Sequence, residues 1–170
     1  MELVIKHIGN LFNTISAAPW DTIQKIPQSG GDRVYFRIIQ GEQSWIATYS
    51  LNIRESETFI YFADHFYEKG LPVPKVLAMS ADKTIYLQQD LGRVSLLDVL
   101  EKEGKTEYVF SLFKKSLTAL AKLQVQGGAD LNYDKCLTSK EFGKHSILTD
   151  LLYYKYYFLD TLQYPYDKQS

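Results

Sequence analysis

The run Gly70-Leu71-Pro72-Val73-Pro74 constrains this chain more than any other stretch. Each proline removes an amide donor and biases the residue before it towards extended backbone, so no helix passes through. A helix arriving from the amino-terminal side must stop at Gly70, and the chain beyond the prolines must start extended. That helix has a beginning as well. Asn52 is a suitable cap, and Glu55, three residues later, can complete a capping box. Between the two ends, Phe59, Phe62, Ala63 and Phe66 line one apolar face.

On both sides of this helix the texture is that of strands. Residues 21–26, 33–39 and 44–49 form a meander, broken by the turn Pro27-Gln28-Ser29-Gly30-Gly31-Asp32 and by Gln40-Gly41-Glu42. After the prolines, 75–79 and 84–88 make a second strand pair about the turn Ala81-Asp82-Lys83. A short connector, Gln89-Asp90-Leu91-Gly92, leads into helical patterns at 95–103, 108–126 and 146–162. Ahead of the meander, Leu3, Ile5, Ile8, Leu11, Phe12 and Ile15 predict an amphipathic helix. The class is therefore α+β: a five-stranded antiparallel sheet carrying one helix, tied to a helical unit. The expected divisions are 1–19, 20–90 and 91–170.

Charge narrows the function. Nineteen Lys and Arg against twenty Asp and Glu argue against a surface given over to nucleic acid or anionic lipid. Glu2 and Lys6 interrupt the first apolar pattern, so it is neither a leader peptide nor a membrane span. Cys136 is the only cysteine, which excludes an intrachain disulfide and fits the reducing cytoplasm. His7, His65 and His145 are far apart and have no partner at ligand spacing.

Three motifs stand in order: Ser29-Gly30-Gly31-Asp32-Arg33-Val34-Tyr35-Phe36-Arg37, Leu71-Pro72-Val73-Pro74-Lys75-Val76-Leu77 and Tyr86-Leu87-Gln88-Gln89-Asp90-Leu91-Gly92. Together they resemble the amino-terminal lobe of the protein-kinase-like fold, in the aminoglycoside phosphotransferase and choline kinase superfamily. Within it the first and third are most similar to bacterial kinases of N-acetylmuramate or N-acetylglucosamine. The resemblance implies an ATP-dependent phosphotransferase with a small-molecule acceptor, using magnesium. It implies that the Ser29, Gly30, Gly31 and Asp32 turn lies over nucleotide phosphates, where glycine permits close backbone approach. Arg33, Tyr35 and Arg37 alternate onto one strand face, where guanidinium groups can hold phosphate oxygens. Gln88, Gln89 and Leu91 fall where the hinge offers backbone groups to adenine, and Ala47 and Ile26 are candidates for lining its pocket.

The sequence departs from the family in two places. The third strand, where the family carries a phosphate-binding lysine, reads Ser44-Trp45-Ile46-Ala47-Thr48-Tyr49-Ser50. Arg37 is the expected replacement cation, with Glu57 as the helix carboxylate and Glu55 as its rival. No His-x-Asp loop or downstream magnesium ligand is recognisable, and in the resembled branch these would come after Ser170. The expectation is a nucleotide-binding part of a kinase, truncated before its catalytic loop, with its tyrosine-rich segment belonging to a core completed elsewhere. A non-catalytic nucleotide-binding or regulatory module is the alternative.

Overall fold

A computed structural model describes residues 1–27, 31–137 and 143–162. The chain forms two compact units, residues 1–135 and 136–170, so the division expected at 90/91 falls inside the first. That first unit is α+β. Its elements are α1 (Glu2–Phe12), β1 (Thr22–Lys25), β2 (Val34–Gln40), β3 (Gln43–Tyr49), α2 (Ile53–Glu68), β4 (Val76–Met79), β5 (Ile85–Gln89), α3 (Leu96–Glu103) and α4 (Glu107–Gly127), closed by a 3-10 turn at Tyr133–Lys135. The five strands form one antiparallel sheet in the order β1-β2-β3-β5-β4.

Alternation of side chains sends the apolar members of β2, β3 and β5 to one face. There Phe36, Ile38, Ala47, Ile85 and Leu87 meet Ile8 and Phe12 of α1 in a fully buried cluster. Phe12 also meets Trp45 edge-on, with ring centroids 4.9 Å apart. Of the predicted α1 stripe, only Ile8 and Phe12 are fully buried, while Leu3 faces solvent.

The other face is covered in part by α2, whose Phe59 ring stacks on Tyr86 at 5.2 Å. Asn52 caps α2 by accepting a hydrogen bond from the Glu55 amide at 3.2 Å. The reciprocal half of the expected capping box is missing, because the Glu55 carboxylate turns to Arg33 instead. A complete box forms at α3, between Ser95 and Asp98. The exit of α2 matches its prediction. Gly70 takes a left-handed φ of +70°, and the amides of Gly70 and Leu71 cap the carbonyls of Tyr67 and Phe66. Further on, α2 and α4 come together at Gly127, where an added Cβ would lie 2.9 Å from the Phe66 ring. The His65 Nε2–H donates to the Gly127 carbonyl at 2.9 Å.

In the second unit, α5 (Lys144–Tyr157) is shorter than the predicted 146–162 and gives way to a 3-10 turn at Leu159–Leu162. The helix ends because Phe158 leaves helical geometry, with φ −125°. Tyr153 and Tyr157 stack one turn apart, as do Tyr154 and Phe158, and all four rings are exposed. No helix among the described residues is long and apolar enough to cross a membrane.

Candidate functional site

The β2–β3 hairpin turns on two residues, Gly41 and Glu42, and Gly41 supplies the required positive φ of +57°. Gln40 therefore pairs with Gln43, which sets Arg37 opposite Ile46 and Tyr35 opposite Thr48. Across β5, Ile46 lies opposite Gln88 and Thr48 opposite Tyr86. On the other side, Gln24 lies opposite Arg37, and the Ile26 amide donates to the Tyr35 carbonyl at 2.8 Å. Two adjacent rows thus cross the α2 face: Ile26, Tyr35, Thr48, Tyr86, and beside it Gln24, Arg37, Ile46, Gln88.

Arg33, just ahead of β2 and two residues before Tyr35, stands one row farther along this face. Its Nη2 meets Glu55 Oε1 at 2.8 Å, and the guanidinium carbon stands 5.6 Å from the Phe59 ring centroid. Partial burial works against the charge. Tyr86, Tyr35 and Glu55 outweigh it and raise the Arg33 pKa further. Burial pushes the Tyr86 phenol above its ordinary value, against the opposing influence of Thr48 and Arg33.

The expected Arg37–Glu57 pair does not form. Residues two apart on a helix point about 200° from each other, so Glu55 and Glu57 cannot both reach the sheet. Glu55 reaches it. Glu57 takes Lys83 at 2.5 Å, and this exposed contact holds its carboxyl below the usual range.

Arg37 has a different partner, Asp90 of the connector. Arg37 Nε donates to Asp90 Oδ2 at 2.6 Å and Nη2 to Oδ1 at 3.2 Å, while Nη2 also reaches the Gly92 carbonyl at 3.1 Å. The Ser44 hydroxyl donates to Oδ2 at 2.7 Å and the Gly92 amide to Oδ1 at 2.9 Å. The Asp90 side chain is only 4% exposed. Burial disfavours its charge, but Arg37, Ser44 and Gly92 together hold the carboxyl below the usual range. This network ties the chain leaving β5 to β2 and β3, and it occupies the guanidinium expected to hold phosphate.

Ala47, expected in the adenine pocket, lies on the opposite face in the α1 core and is 0% exposed. Its neighbour Ile46 holds the corresponding place on the α2 face. Gln89 pairs with Trp45 on the α1 side of the sheet, and Leu91 is 70% exposed. Gly31 has a φ of +74° and Asp32 is exposed, while Ser29 and Gly30 lie outside the described residues. The sequence reading missed Ile46, Thr48 and Tyr86, although the signal was present. A two-residue turn at Gly41-Glu42 fixes every pairing across the hairpin, and that arithmetic sets Ile46, not Ala47, beside Arg37.

Among the described residues, Arg33 Nε, Thr48 Oγ1 and Gln88 Oε1 are buried side-chain atoms without a hydrogen-bond partner. Such atoms are costly unless a ligand or water meets them. No group of three or more His, Cys, Asp or Glu among the described residues is arranged to hold a metal ion. A comparison with protein-family models finds no match for this chain, and a search of curated proteins finds none either.

Proposed function

We propose that the α2 face of the sheet binds ATP, as the nucleotide-binding part of a small-molecule phosphotransferase resembling the aminoglycoside phosphotransferase and choline kinase superfamily, with a sugar or amino sugar as acceptor. The observation that carries this reading is the Arg33–Glu55 ion pair. It joins the start of the second strand to the helix set between the third and fourth, directly after the glycine turn. In this reading Arg33, and not Arg37, is the cation for the phosphates, and Glu55 is the carboxylate that orients it. Ile26, Ile46 and the amide oxygen of Gln88 lie farther along the same face, where a purine would stack and offer a donor. Bound ATP would supply the transferable phosphoryl group, and no magnesium ligand is assigned among these residues.

A second reading, a non-catalytic nucleotide-binding module, is favoured by Thr48. This uncharged residue is 0% exposed on the third strand, the strand on which the resembled family carries a lysine and this chain has none. Calorimetric titration of ATP into the chain tests the shared part of both readings: saturable binding, weakened about tenfold in Glu55→Gln, is expected. Absence of binding, or an unchanged affinity in the variant, would remove the assignment of this face.

A further inference from the structure

A cavity of about 440 Å³ opens between the turn that ends α2 and one side of α4. Gly70, Leu71 and Pro72 form one wall, and Lys114, Lys115, Thr118, Lys122 and Gln126 are on the other. The composition of that second wall is one-sided. Residues 108–127 hold three lysines and no acidic residue, in a chain whose net charge is -1. Among the described residues none of the three lysines is in an ion pair. Lys114 lies over the Phe110 ring, 5.6 Å from its centroid, a contact that leaves its charge uncompensated.

Two ordinary explanations for the lysines do not fit. They are not the caps of the carboxyl end of α2, where the Gly70 and Leu71 amides already meet the Tyr67 and Phe66 carbonyls. Nor do they serve the nearby carboxylates of that helix. The Asp64 carboxyl is pushed up by burial and by Glu68, with no cation acting to lower it. Three like charges around one concavity repel each other unless an anion enters. Lys115 and Lys122 stand about 10 Å apart along the helix, two turns on the same side. That separation suits two linked anionic groups better than one.

We propose that this cavity binds a small molecule carrying two phosphate groups. The lysines hold its charge, and the Gln126 side-chain amide offers a hydrogen bond beside them. The site is separate from the proposed nucleotide face and does not depend on it. A volume of about 440 Å³ suits a small ligand.

Titrating inorganic pyrophosphate into the 170-residue chain, with inorganic phosphate as the comparison, tests the proposal. Pyrophosphate is expected to saturate, to bind at least about tenfold tighter than phosphate, and to weaken as salt rises. The double variant Lys115→Gln/Lys122→Gln should lose at least about tenfold in affinity while keeping its helical circular dichroism, since glutamine is a good helix former. Lys115→Arg should retain binding, since it keeps the charge. No saturable binding, equal affinity in the double variant, or tighter binding of a hexaglutamate peptide at the same lysines would overturn it.

Discussion

On the α1 side, β2, β3 and β5 present Phe36, Ile38, Ala47, Ile85 and Leu87 to Ile8 and Phe12, and the described buried cluster contains no charged side chain. On the α2 side the same strands present Tyr35, Arg37, Thr48, Tyr86 and Gln88, with Arg33 and Asp90 bound in ion pairs at the two ends. One set of strands thus builds two surfaces by alternation alone. The first is stabilised by removing apolar area from water. The second keeps polar groups partly dehydrated, which costs stability unless each is matched. A sheet needs only one such apolar face to fold. The polar face is therefore the one free to serve a ligand.

The contrast can be broken from its strongest side first. Phe36→Ala empties a fully buried site on the α1 face and should cost about 3–5 kcal/mol in urea denaturation. A cost near that of a surface substitution would mean this face is not the core. Arg37→Ala should cost about 3 kcal/mol, because it leaves the Asp90 carboxylate buried without its cation. In a double-mutant cycle with Asp90→Asn, most of that loss should prove to be coupling between the two residues. Additive losses would show that the connector is held by other contacts.

Asp90 also sets a pH dependence. Its folded-state pKa is lowered, so its contribution is fully present above the unfolded-chain value of about 3.9 and disappears as pH falls below that through the folded value. Stability measured from pH 6 to pH 2 should therefore fall less steeply at the acid end in Asp90→Asn than in the parent chain. Parallel curves would contradict the assignment.

Much of this architecture was legible in the sequence. The prolines at 72 and 74, the Asn52 cap and the alternation at 33–39 depend on local chemistry, and each element falls within a few residues of its expected place. Features that depend on distant partners were less legible. Arg37 and Arg33 share a face and a charge, and only the long-range meeting of Arg37 with Asp90, 53 residues on, separates the structural cation from the one proposed to act. The same holds for Glu55 and Glu57, which local spacing leaves equivalent until Lys83 arrives from the β4–β5 turn. Ala47 was misplaced for a different reason. An apolar residue beside a charged strand fits either face until the hairpin register is counted.

Arg33→Ala has the smallest expected effect on stability, no more than about 1 kcal/mol, because Glu55 is 36% exposed and water screens the pair. Its effect on the proposed ligand should be the largest. The most direct measurement is therefore ATP affinity, by calorimetry, for Arg33→Ala beside Ile38→Val on the opposite face. Loss of at least about tenfold in the first and none in the second is the predicted result. Equal affinities in both variants and the parent chain would contradict a division of labour between the two faces.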